Sequence, residues 1–90
     1  MATAVRLSDG ERAYLQGIAG YPKQEAYLWS ETLRIGRQLG DRSRHADDIA
    51  MEILASIGVE IEVCAGNIYL NGRRVYFSER SGKWLSDDWH

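Results

Sequence analysis

Ninety residues give room for one hydrophobic core and no second domain. An apolar fraction of 44%, a charged fraction of 27% and a formal charge of −2 fit a soluble globular chain and give no general attraction to nucleic acid or an anionic membrane. A single cysteine, Cys64, excludes an intramolecular disulfide and a zinc site built from several thiolates.

The first helix is expected to start at Ser8. Ser8-Asp9-Gly10-Glu11 has capping-box spacing, with a hydroxyl for the third amide and a Glu able to reach back. Asp9 and Glu11 suit the positive end of the helix dipole. Tyr14, Leu15 and Ile18 then share a face, and Gly20 ahead of Tyr21-Pro22 is the stop.

A second helix is predicted over 22–39, with Pro22 in its first turn. Ala26, Leu28, Trp29, Leu33, Ile35, Gly36 and Leu39 fall on one broad side, and Tyr27, Ser30, Glu31, Arg34, Arg37 and Gln38 on the other. So wide a stripe marks a central helix with neighbours on two flanks. Gly36 inside it costs about 1 kcal/mol against Ala, and close approach of another element is the usual reason for that.

The third helix is predicted over 43–57, capped by Asp41 or Ser43. Ala46, Ile49, Ala50, Ile53, Leu54 and Ile57 form its apolar stripe, opposite Asp48 and Glu52, and Gly58 ends it.

From Val59 the period changes from helical to alternating. Strands are predicted at 59–64, 67–70, 73–78 and 83–86. Asn71-Gly72 is a strong hairpin signal, because a type I′ turn needs positive φ at both positions, and Ala65-Gly66 is a second turn. Two-residue loops at both places pair Ile61 with Leu70, Val63 with Ile68, Ile68 with Val75 and Leu70 with Arg73. Cross-strand partners share a face. One face then holds Val59, Ile61, Val63, Ile68, Leu70, Val75 and Phe77, and the other holds Glu60, Glu62, Cys64, Tyr69, Arg74 and Tyr76. A slip of one residue would destroy that separation. A turn near Ser81-Gly82 leads into the last strand, whose register leaves open whether Trp84 or Leu85 faces the core. The expected fold is α+β, with three helices packed on one face of a C-terminal antiparallel meander.

No phosphate-binding glycine motif, nucleophile elbow or zinc-binding helix is present. His45 beside Asp47 and Asp48 reads as a helix start. Asp87, Asp88 and His90 read as a polar tail around Trp89. Cys64 lies among acidic residues, which disfavour a reactive thiolate. The expectation is a protein with no enzymatic activity and no cofactor or metal. The opening stretch MATAVRLSDGER has no apolar run of signal-peptide length and nothing reaches the length of a membrane span, so the expected setting is cytoplasmic.

Charge is unevenly distributed. Arg34, Arg37, Arg42 and Arg44 cluster against Asp41 alone, whereas residues 46–62 carry five acidic residues and no Lys or Arg. The second sheet face combines Tyr69, Arg74 and Tyr76, with Trp84 or Leu85 joining them. Tyr, Trp and Arg are the residues that anchor protein interfaces. These features point to a small protein-interaction module, with Tyr69, Arg74, Tyr76 and Trp84 as one binding patch and Arg34 and Arg37 as a second. Inhibitors and adaptors of larger complexes, including viral (phage) or mobile-element proteins that block a host defence, are the class such compositions bring to mind. Self-association through the sheet face or its edge strand, giving a homodimer, is a related expectation.

The order of three helices and a hairpin also resembles a winged helix in outline, a likeness of element order that covers no motif residues. It implies a nucleic-acid-binding regulator using Arg34, Arg37, Arg42 and Arg44, with Arg73 beside a wing tip at Asn71-Gly72. Asp47, Asp48 and Glu52 on the third helix would then face phosphates, and Glu60 and Glu62 on the sheet oppose a polyanion.

Overall fold

The computed structural model describes residues 7–39 and 45–87. Helices α1 (Asp9–Ala19), α2 (Glu25–Leu39) and α3 (Ala46–Ser56) precede strands β1 (Ile61–Cys64), β2 (Asn67–Leu70), β3 (Arg73–Ser78) and β4 (Lys83–Ser86). The strands form one antiparallel meander in the order β1-β2-β3-β4. The helices gather on one face of it: α2 crosses β3 and β4, α3 leans on β1, and α1 packs on α2.

The local signals explain where the elements begin and end. Ser8 Oγ accepts from the Glu11 amide while the Ser8 amide donates to Glu11 Oε1, closing the capping box. α2 starts three residues later than predicted, because Lys23 takes φ 63° and a turn through Tyr21–Lys23 precedes the helix. At α3 the N-cap is His45, whose side chain makes no capping bond, and the helix starts at Ala46 rather than 43. Asp41 and Ser43, the expected caps, lie outside the described residues, as do Gly40, Arg42, Arg44 and the tail from Asp88 through Trp89 to His90. Gly58 at φ 87° ends α3 in a Schellman motif, with Val59 N donating to Leu54 O and Gly58 N to Ala55 O. Arg12 Nη1 reaches the Ser56 carbonyl and places a cation at the same helix terminus.

Register agrees with the two-turn deduction at every pairing given above: Ile61 faces Leu70, Val63 faces Ile68, Ile68 faces Val75 and Leu70 faces Arg73. Both loops have positive φ at both positions, Ala65 52° and Gly66 80°, Asn71 50° and Gly72 80°. Asn71 also braces the start of the sheet, since its amide donates to Glu60 O and its Oδ1 accepts from Glu60 N.

The core joins Leu15 and Ile18 of α1, Leu28, Trp29, Leu33 and Ile35 of α2, Ile49, Ala50, Ile53 and Leu54 of α3, and Val59, Leu70 and Val75. Gly36 is buried at the α2–α3 crossing, where a β-carbon would lie 3.2 Å from Ile49 Cγ2. Close helix approach is therefore the reason for the glycine. Thr32 is buried too and returns its hydroxyl to the Leu28 carbonyl at 2.7 Å. Four apolar assignments differ from expectation. Tyr14 and Leu39 are exposed, on the rims of their helices. Val63 and Phe77 are on the helix side of the sheet but 56% and 50% exposed.

Candidate functional site

The β4 register decides the composition of both sheet faces. Phe77 pairs with Trp84 and Tyr76 with Leu85. Trp84 is thus on the helix side, half-buried, edge-on to Trp29 at 5.9 Å between ring centroids and to Phe77 at 5.6 Å. Of the expected binding patch, Trp84 is removed to the core side and Leu85 takes its place beside Tyr76. Strand alternation made both outcomes compatible with the sequence; only the loop length between β3 and β4 separates them. That loop runs from Glu79 to Gly82, closed by Gly82 N on Ser78 O.

The face turned away from the helices carries Glu62, Tyr69, Arg74 and Asp87 in one row across the strands, with Tyr76 and Leu85 adjoining. Arg74 is fixed in place. Its Nε lies 3.1 Å from Asp87 Oδ2, its Nη2 is 3.4 Å from Oδ1, and its guanidinium sits 4.8 Å above the centre of the Tyr76 ring. A forked carboxylate contact and a ring contact together hold the planar cation in one orientation. Tyr69 is opposite Arg74, and both are half-buried, as is Tyr76. No described helix packs on this face. Cys64 is exposed at its β1 end.

Of the expected basic patch, Arg34, Arg37 and Arg73 lie among the described residues. Arg34 donates through Nε and Nη2 to Glu31, while Arg37 is exposed nearby on α2. Arg73, predicted beside a wing tip, instead lies on the helix side: its Nε is 2.9 Å from Glu25 Oε1, and Nη1 donates to the Asp87 carbonyl at 2.6 Å. The contact with Glu25 is an ion pair rather than an aligned hydrogen bond, and at 18% and 12% exposure the two side chains stitch the sheet to the start of α2. Arg42 and Arg44 lie outside the described residues.

A polar chain on the α1–α2 surface escaped the sequence reading. The Tyr14 hydroxyl bonds Tyr27 OH at 2.9 Å and donates to Glu31 Oε1 at 2.7 Å, and Arg34 completes the chain. Bonds to Tyr27 and then to Glu31 push the Tyr14 hydroxyl far above the usual tyrosine range. Arg34, and after it Tyr14, hold the Glu31 carboxyl below its ordinary value. Beside this chain lies an open depression of about 650 Å³ lined by Gly17, Ile18, Tyr21 and Pro22. The signal that could have found it is the pairing of Tyr14 with Tyr27 across a helical hairpin, which depends on the crossing of two helices and not on spacing within either.

Among the described residues, no group of three or more His, Cys, Asp or Glu side chains is placed to hold a metal ion. No helix among them is long and apolar enough to cross a membrane. No protein-family model, curated protein or solved structure matches the chain.

Proposed function

We propose that this chain is a small non-enzymatic protein-interaction module, acting as an inhibitor or adaptor, whose contact surface is the sheet face of Tyr69, Arg74, Tyr76 and Leu85. The observation that carries this reading is Arg74, held between Asp87 and the Tyr76 ring on a face with no described helix over it. A side chain already fixed before binding loses little entropy on association, and aromatic rings next to an oriented guanidinium are the composition of interface hot spots. Glu62 and Asp87 on the same face favour a protein partner over a polyanion.

The test is capture of a partner from native lysate of the source cell by the immobilised protein, repeated with Tyr69→Ala/Tyr76→Ala. Circular dichroism and urea unfolding establish that the double variant folds. Loss of the captured partner is the expected result. Unchanged capture by the folded variant removes this face as the contact surface.

A further inference from the structure

β1 is an edge of the sheet, paired on one side only, with β2. In an antiparallel ladder the main-chain groups of successive residues point alternately toward and away from the neighbour. Asn71 N bonds Glu60 O, so Glu60, Glu62 and Cys64 turn their peptide groups to the β2 side. The N–H and C=O of Ile61 and Val63 therefore point outward. The continuous register leaves no bulge on β1, and no Pro or Lys blunts it, whereas the opposite edge begins with Lys83.

Beside this edge runs a groove of about 490 Å³ between the first turns of α3 and the β1–β2 hairpin. Met51, Val63 and Ile68 give it an apolar floor, and Asp47 and Asp48 stand exposed on its rim. On the other face of the β1 segment Glu60 and Glu62 are exposed. Residues 46–62 contain no Lys or Arg.

We propose that the β1 edge docks an extended segment of another protein that alternates apolar and basic residues and joins the sheet as a fifth strand. The outward peptide groups of Ile61 and Val63 supply the ladder bonds. Alternate side chains of an added strand point to opposite faces. Apolar ones then enter the groove over Met51 and Ile68, and basic ones lie beside Glu60 and Glu62. The same charges disfavour a second copy of this chain. Antiparallel pairing of β1 with itself about Ile61 or Glu62 sets Glu against Glu, and like charges directly opposite are destabilising. This edge meets the Tyr69–Tyr76 face at Glu62, but its ladder bonds and its groove lie outside that face, so either assignment can fail without the other.

The probe is a short blocked peptide of strictly alternating lysine and valine, followed by amide NMR of the labelled protein. Saturable shifts in β1, with new exchange protection at the Ile61 and Val63 amides, are expected. A peptide of the same composition with its lysines and valines in separate blocks is expected to bind about tenfold more weakly, as is the alternating peptide to Glu62→Lys. Val63→Pro deletes an outward N–H at a position where an edge strand tolerates proline, and should abolish binding without unfolding. Should that variant fail to fold, an alternating peptide N-methylated along its bonding edge asks the same question from the partner's side. The proposal is overturned by absence of β1 shifts, by equal binding of the block peptide, by full affinity of the N-methylated peptide, or by shifts confined to Tyr69 and Tyr76.

Discussion

Trp29 and Trp84 meet edge to face, their ring centroids 5.9 Å apart and their planes inclined by 76°, and this contact ties α2 to the last strand. Trp29 is fully buried, and its Nε1 has no hydrogen-bond acceptor among the described residues. The pair therefore stabilises through packing and ring geometry and not through a hydrogen bond. It is also compatible with this register of β4 alone, since a shift of one residue would bring Leu85 to Trp29 and turn Trp84 to the open face.

Trp84→Ala is accordingly expected to lower unfolding stability by about 3 kcal/mol, through lost area and a cavity against Trp29. Leu85→Ala, on the opposite face, should cost less than about 1 kcal/mol. Urea unfolding of the two variants measures the difference. Equal losses would contradict the register.

At the α2–α3 crossing, a β-carbon on Gly36 would approach Ile49 Cγ2 to 3.2 Å. Gly36→Ala gains about 1 kcal/mol of helix propensity and must displace Ile49 by a few tenths of an ångström, so its stability should stay within about 1 kcal/mol of the parent. Gly36→Leu has no such escape and should cost more than about 2 kcal/mol. Thermal unfolding of both variants tests the crossing.

Ala65 occupies the left-handed region at φ 52° in a turn where Asn or Gly is the usual residue. Ala65→Asn is expected to stabilise by about 0.5–1 kcal/mol, because Asn tolerates this conformation better. Asn71→Ala should do the reverse by about 1–2 kcal/mol, since it also removes the bond to the Glu60 amide. Chemical denaturation of the two variants gives opposite signs if both turns are as described.

The Tyr14–Glu31–Arg34 chain links stability to pH. Glu31 has its folded pKa below the ordinary 4.5, so its contribution is present above about that pH and fades as pH falls through the lower folded value. Tyr14 is raised in the fold, so its contribution is present below the usual tyrosine pKa of 10.0 and fades at strongly alkaline pH. The stability difference between the parent and Glu31→Gln should therefore be largest near neutrality and shrink on acidification. An ultraviolet titration should show a tyrosine step at strongly alkaline pH, and Tyr14→Phe should abolish it. A difference that grows toward acid pH would contradict the assignment.

Much of this molecule was legible from local chemistry. Ser8 and Glu11, the Asn71-Gly72 turn and the alternation from Val59 each specify geometry within a few residues, and β2, β3 and β4 fall at their predicted bounds. The displaced start of α2 was not legible, because Pro22 is equally at home in a first helical turn and in the turn before it, and Lys23 decides by taking positive φ. Nor was the fate of Arg73. Its pairing with Leu70 follows from the Asn71-Gly72 turn, but that Glu25 at the start of α2 meets it on that face depends on how the helix packs on the sheet.

By itself, the sequence determined the element order, the two two-residue turns and the division of the first three strands into an apolar and a polar face. Those follow from backbone preferences and side-chain period, which act over a few residues. Only tertiary structure decided that Trp84 lies on Trp29, that Arg74 is held by Asp87 above Tyr76, and that Val63 lies uncovered at a strand edge beside an acidic groove. These depend on where helices of finite length cross a sheet wider than they can cover, a relation between surfaces distant in the chain that no local pattern encodes.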